Sequence, residues 1–292
     1  MPRAVAQLML ASVPVSDVLR LICLAGVLFC TPAISYAQMP QRVVSMNLCT
    51  DQLAMLLADE GQLVSVSHIA SDPRSSAMVA QASLFPANSG RAEEVFVMQP
   101  DLVVAGTFSA RASVDMLTRL GIRVLMFPPV SSLADVRGQI VKLGDALGHP
   151  ERAEVMAANF DARLAGYLRE VALRPRAALY YANGYTSGDK TLAGQILNAA
   201  GFDNIAAEQG FAGGGVIPLE VLALAQPDTV ITSQPYPAAS RSEEVMDHPV
   251  IGALRAHLPA AALTDSDWVC GTPFVLQAIA EMAALRTEVL RP

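Results

Sequence analysis

Charged residues make up only 16% of this 292-residue chain, and no basic block occurs anywhere in it. Phosphate backbones are bound by clustered Lys and Arg, so nucleic acid is excluded as a partner. Aromatic residues are 5%, too few for a stacking platform along a single strand. Four cysteines rule out a disulfide-dense scaffold. No G-x-S-x-G elbow, dinucleotide fingerprint or H-E-x-x-H pair is present, which removes the commonest signatures of an enzyme. What is there is apolar: 52% hydrophobic residues, with 27 acidic against 20 basic side chains and a formal net charge of −7. At roughly 100–200 residues per domain, the length predicts two domains with sizeable cores.

Arg3 and Arg20 are the only basic residues before Arg42. The apolar run Leu21-Ile-Cys-Leu-Ala-Gly-Val-Leu-Phe-Cys30 follows, Thr31-Pro32 breaks it, and Ser35-Tyr36-Ala37 places small residues where a signal peptidase reads. The run is about half the ~20 residues that span a bilayer. Residues 1–37 are therefore expected to be a cleavable secretory signal, with Met9 an alternative start. Phe29 is too bulky before Cys30 for a lipidation signal. The mature chain begins at Gln38, carries a net charge of −8 and is exported to the periplasm. It keeps two cysteines, Cys49 and Cys270, an even pair and a disulfide candidate in an oxidising compartment.

One motif occurs twice. Glu93-Glu-Val-Phe-Val-Met-Gln-Pro100-Asp101 precedes Leu-Val-Val-Ala-Gly106, and Glu220-Val-Leu-Ala-Leu-Ala-Gln-Pro227-Asp228 precedes Thr-Val-Ile-Thr-Ser233. The second Glu lies 127 residues after the first. Each copy reads as a short amphipathic helix stopped at Gln-Pro-Asp, because proline disfavours helix at the residue before it, followed by a buried strand. A repeated helix–turn–strand unit predicts two similar α/β lobes. Other expected elements are strands over 42–46, 63–67, 122–127 and 177–181, and helices over 51–58, 112–120 and 191–200. Strands alternating with helices argue for parallel sheets. Between the lobes, Val136, Ile140, Leu143 and Leu147 form one apolar stripe at helical spacing, broken at Gly148-His149-Pro150. No Gly/Ser-rich linker appears, so the joint is expected to be stiff. The predicted division is an N-terminal lobe over 38–132, a linking helical segment over 133–173 and a C-terminal lobe over 174–292.

These residues resemble the periplasmic binding proteins of ABC importers for iron–siderophore complexes, haem and cobalamin. The resemblance rests on Arg42-Val-Val-Ser-Met-Asn47, the two Glu-x6-Pro-Asp motifs, the linking helix, and Asp247-His-Pro-Val-Ile-Gly-Ala-Leu254 with Leu258-Pro-Ala260. It covers the chain from Arg42 to about Leu290. It implies two lobes with parallel sheets joined by one long rigid helix, a ligand cleft between them at strand ends, and capture rather than catalysis. It also implies that Glu93 and Glu220 dock on arginines of an inner-membrane permease, with Glu94 a substitute for Glu93. Two separated acids would supply orientation and electrostatic steering.

Candidate ligand-facing residues lie in the loops after strands: Asn47, Cys49, His68, Arg74, Phe108 and Arg111 in the first lobe, and Tyr185, Phe211, Tyr236 and Trp268 in the second. The aromatics offer flat apolar walls for a macrocycle or chelate, with Trp268, the single Trp, the foremost of them. Arg74 and Arg111 suit ligand carboxylates. The loop at 210–215 is glycine-rich, reads as flexible and lacks the phosphate-cradling pattern. Thr50 or Asp51 is the expected N-cap of the first helix, a position that would make a reduced Cys49 reactive. Three readings of Cys49 and Cys270 stand open: a disulfide across the cleft, two independent buried thiols, or thiolates on a metal centre. His68, His149, His248 and His257 lack zinc-type spacing, so no resident metal is expected. The expected protein is a monomeric, non-enzymatic importer component without a cofactor. Its partners are a small-molecule metal chelate, as transported ligand, and an ABC permease. Corrinoid stands slightly ahead of ferric siderophore and haem. The alternatives are a binder of a bare zinc- or manganese-type ion, and a thiol-based envelope enzyme using Cys49.

Overall fold

Short runs of Val, Leu and Ala bounded by polar turns build the first sheet. The computed structural model describes residues 39–234, 240–256, 262–263 and 265–291; the expected signal, Tyr236, His257 and the Leu258-Pro-Ala260 segment lie outside the described residues. In chain order come β1 (Val43–Ser45), α1 (Leu48–Leu57), β2 (Leu63–Ser67), α2 (Val79–Ala82), β3 (Ala87–Asn88), α3 (Ala92–Val97), β4 (Leu102–Gly106), α4 (Arg111–Arg119) and β5 (Arg123–Phe127). The sheet order is β3-β2-β1-β4-β5, with every pairing parallel. β1 and β4, in its middle, are buried at every residue, so their sequences do not alternate apolar with polar, and Ser45 is the one polar side chain in them.

Two helices follow, α5 (Leu133–Leu147) and α6 (Pro150–Tyr167), and the break between them falls where the sequence places it. Ser132 and Asp135 form a reciprocal capping box at the start of α5, Gly148 ends it at φ 85°, and Pro150 opens α6. The two helices approach closely: a Cβ on Gly144 would stand 2.1 Å from the Ala153 Cβ. The second lobe comprises β6 (Arg176–Tyr180), β7 (Tyr185–Thr186), α7 (Leu192–Ala199), β8 (Asp203–Asn204), α8 (Ile205–Glu208), β9 (Gly215–Val216), α9 (Leu219–Ala225), β10 (Thr229–Ser233), α10 (Pro249–Ala256), β11 (Ala262–Leu263), α11 (Asp265–Trp268) and α12 (Val275–Val289). Its parallel sheet runs β11-β10-β6-β8, and β7 pairs antiparallel with β9. The glycine-rich stretch is thus partly a strand, ordered by its pairing with Tyr185 and Thr186.

The repeat has a mechanical content. Gln99 and Gln226, both before Pro-Asp, take the left-handed conformation at φ 51° and 48°, which ends α3 and α9 and turns the chain into β4 and β10. Asp101 accepts from the backbone N–H groups of Gln41 and Arg42 at 2.7 and 3.0 Å, and Asp228 from that of Arg176 at 2.7 Å. The arginines reach the other way. Arg42 donates to the carbonyls of Met98 and Gln99, and Arg176 to those of Ala225 and Gln226. Each Pro-Asp motif therefore ties the first strand of its lobe to the end of the Glu-bearing helix.

One apolar cluster runs through both lobes. It takes Val43, Leu102 and Val104 from the first sheet, Val136, Ile140, Leu143, Ala157 and Phe160 from α5 and α6, and Leu179, Ile196 and Ile279 from the second lobe. A continuous core through the connecting helices resists hinge motion.

Candidate binding site between the lobes

The site is built from strand ends. Asn47, after β1, caps α1: its Oδ1 accepts from the N–H groups of Cys49 at 3.0 Å and Thr50 at 3.4 Å. The helix consequently starts three residues before the expected 51, and the expected caps, Thr50 and Asp51, are inside it. Thr50 instead bonds the Ser45 hydroxyl at 2.8 Å. Asp51 turns into the core and accepts from the backbone N–H of Ser67 at 3.1 Å and from the Ser67 hydroxyl. Burial pushes its carboxyl up to about 6, the hydrogen bonds from Ser45 and Ser67 and the charge of His68 offsetting part of that desolvation.

Cys49 and Cys270, 221 positions apart in sequence, are joined by a disulfide with Cα atoms 5.1 Å apart. The bond links the α1 terminus of the first lobe to the loop after α11 in the second. Beside it the Thr272 hydroxyl donates to Gln52 Oε1 at 3.2 Å in a buried contact. Gly271 lies against the first lobe so closely that a Cβ would stand 2.3 Å from the Val130 Cβ. On the far side of the seam, the Arg74 guanidinium donates to the Gln234 carbonyl at 2.8 Å.

A pocket of about 200 Å³ opens next to the disulfide. Its walls come from the ends of β1, β4 and β5 and the residues after them, namely Asn47, Cys49, Thr50 and Leu53, Gly106 to Phe108 and Phe127 to Val130, closed by Gln139 of α5 and by Val269 and Gly271 of the second lobe. None of these lining residues is charged, and none is Tyr or His. Phe108 stands at the pocket with 88% of its surface exposed, an aromatic ring with no packing role in the core. The Gln139 amide is oriented by its Nε2, which donates to the Pro128 carbonyl at 3.1 Å, and leaves Oε1 buried and without a partner among the described residues.

Of the sequence-predicted ligand residues, the pocket gathers Asn47, Cys49 and Phe108. The other candidates among the described residues do not line it. His68 is exposed with Nδ1 3.4 Å from the Asn88 carbonyl. Arg111, fully in solvent, stands 4.0 Å from Asp115. Phe211 packs on the outer core of the second lobe, and Tyr185 is exposed on β7. Trp268 ends α11 rather than lying in a loop, and it is only 6% exposed because it packs into the main core. Its neighbour Val269 is the residue that reaches the pocket. Among the residues sequence reasoning missed are Phe127, Pro128, Pro129, Val130 and Gln139. Phe127 ends the expected strand over 122–127 and Pro128, Pro129 and Val130 follow it, so the strand-end rule applied to the other loops finds them too.

His149 is structural: Nε2 meets Gln62 Oε1 at 3.0 Å and Asp59 at 3.3 Å. The His248 ring accepts from the Val250 N–H at the start of α10. Among the described residues no three His, Cys, Asp or Glu side chains group to hold a metal, and no helix is long and apolar enough to cross a membrane. Glu93 is exposed on the first turn of α3 and Glu220 on that of α9. Glu94 is engaged elsewhere, accepting from the Ser89 N–H at 2.8 Å and hydroxyl at 2.5 Å, which holds its carboxyl below the usual range.

A parallel-sheet pair with a site at strand ends between the lobes is the architecture of a solute-binding protein. The family model described as "Periplasmic binding protein" matches residues 43–258, and the chain belongs to that family. The family is periplasmic and non-enzymatic, and its members bind a solute and work with a permease. A "Cobalamin-binding protein" of Halobacterium salinarum is 28% identical over 205 residues, covering 68% of this chain and 56% of that protein. The match thus spans little more than half of that relative. The periplasmic haem-binding protein RhuT of Roseiflexus superposes with a TM-score of 0.69 at 21% identity, over 86% of this chain and 99% of the other. The periplasmic vitamin B12 binding protein BtuF of Vibrio cholerae gives 0.65 at 18% identity, over 87% and 99%. These two likenesses establish the fold. The envelope-enzyme alternative falls on the family, and the Cys49 sulfur is held in a disulfide rather than free to attack.

Proposed function

We propose that this protein captures a metal chelate of low net charge, a corrinoid, in the cleft beside the Cys49–Cys270 disulfide and delivers it to an inner-membrane ABC permease. The single observation that carries the choice of ligand is the pocket lining: largely apolar and, among the described residues, uncharged and without Tyr or His. A ferric siderophore or haem with ionised carboxylates asks for cationic clamps, and haem asks for a Tyr or His axial ligand. A corrinoid brings its own cobalt ligation and needs neither. A pocket of about 200 Å³ is smaller than the ~300–1,000 Å³ of a site that encloses a drug-sized ligand. It therefore takes one edge of the macrocycle, with the remainder lying over the exposed Phe108 ring. The name of the Halobacterium relative supports the same ligand. Residues 1–37 act as the export signal, and Glu93 and Glu220 dock the loaded protein on permease arginines.

Trp268 is the chain's only Trp and adjoins the pocket-lining Val269. Titrating its fluorescence with cobalamin, haem and ferric siderophores, with inner-filter controls, tests the reading. Saturable one-to-one quenching by cobalamin is expected. Tight quenching by haem with none by cobalamin would replace the ligand. A response to zinc or manganese alone would move the protein to the bare-ion class.

A further inference from the structure

We propose that Val97 and Leu224 form the apolar half of each permease-docking point, so that the partner presents a cation beside an apolar recess at two equivalent places. The proposal rests on the reading of Glu93 and Glu220 as docking acids. Four large apolar side chains stand out as the most exposed among the described residues: Phe108, Leu224 at 84%, Val97 at 79% and Leu84. Phe108 belongs to the pocket. Val97 and Leu224 are each four residues after a docking Glu, and like those acids they lie 127 residues apart. Residues four apart share one face of a helix, so each lobe shows an acid and an aliphatic side chain together. Single exposed aliphatics are ordinary on protein surfaces. The same pairing at the same position of both lobes is not explained by chance placement, nor by packing, since neither side chain belongs to a buried cluster.

The surroundings fit a partner rather than solvent. Glu93 and Glu220 have no hydrogen-bond partner among the described residues, whereas the neighbouring Glu94 is satisfied by Ser89. Arg42 and Arg176 brace the ends of α3 and α9, where Val97 and Leu224 sit, so the surfaces are held in place before contact. An acid supplies steering that salt screens; an aliphatic side chain supplies burial that salt does not weaken. The pair divides docking into a salt-sensitive and a salt-insensitive part.

The test measures affinity of the ligand-loaded protein for its permease in nanodiscs at low and high salt. The proteins compared are the unaltered chain, E93A/E220A and V97S/L224S. V97S/L224S is expected to bind about ten- to a hundredfold more weakly at both salt concentrations, with unchanged ligand affinity and melting temperature. E93A/E220A is expected to lose affinity mainly at low salt. If V97S/L224S binds as the unaltered chain does while E93A/E220A is weakened, the inference is wrong and the acids stand alone. If E93A/E220A binds normally, the docking role of the acids fails, and a loss in V97S/L224S would then sustain the apolar contact by itself. V97T/L224Q repeats the comparison should the serine pair lower the melting temperature.

Discussion

Asp51 shows what a single side chain costs in this fold. Its pKa stands at about 6 against an ordinary 3.8, so the folded chain holds that proton more tightly than the unfolded chain. The stability it contributes is fully present below the unfolded value and is lost as pH rises through about 6. Asp51→Asn should therefore be more stable than the unaltered protein at pH 7, by on the order of 1–3 kcal/mol, with no gain below pH 4. Urea melts at the two pH values read the difference, and a variant that keeps the unaltered protein's decline between pH 4 and 7 contradicts the assignment. Asp72 and Glu94, held low by hydrogen bonds from Arg74 and Ser89, act with the opposite sign, and their contribution is lost only as pH falls through their depressed values. At this scale the sequence was partly legible. Asn47, Cys49 and Phe108 follow from their place after strands. Trp268 does not, because whether a ring faces a cleft or a core depends on the turn that carries it, and α11 turns it inward.

At the scale of elements, spacing and stop signals located most of the strands and helices. The strand over 63–67, the break at 148–150 and the Gln-Pro-Asp stops all stand where periodicity and proline put them. What spacing does not carry is the bracing between elements. Arg42 and Asp101 are 59 residues apart, and their roles depend on β1 lying beside β4. Arg42→Ala removes donors to two helix-end carbonyls and is expected to cost about 1–3 kcal/mol in denaturant melts. It should also weaken permease binding through α3 while leaving ligand affinity unchanged; normal binding to the permease would show that α3 holds its place unaided. The helix pair α5 and α6 depends on Gly144. Gly144→Leu places a branched chain where even a Cβ would stand 2.1 Å from Ala153, and a melting temperature equal to the unaltered protein's would refute that contact.

For the whole molecule, two lobes share one core and are joined again by a disulfide at the cleft. The even cysteine count made that bond one of three readings; the fold puts the two Cα atoms 5.1 Å apart, within disulfide range. Replacing both cysteines by serine should lower stability by about 2–5 kcal/mol, because the bond closes a loop of 221 residues. The repeat and the family motifs make the two-lobed plan legible in the sequence. The pocket was less readable, because its walls combine both lobes and α5, and that meeting is set by Gly271 seating on Val130 and Gln52 pairing with Thr272.

The most direct test of the account is titration calorimetry of cobalamin against the mature protein and its Phe108→Ala variant. Phe108 is 88% exposed, so its removal leaves the fold intact and reports only on the ligand. One-to-one binding by the unaltered protein, weakened about tenfold in the variant, is the predicted result. A protein that binds no cobalamin, or a variant that binds it as tightly as the unaltered chain, would contradict a corrinoid site beside the disulfide.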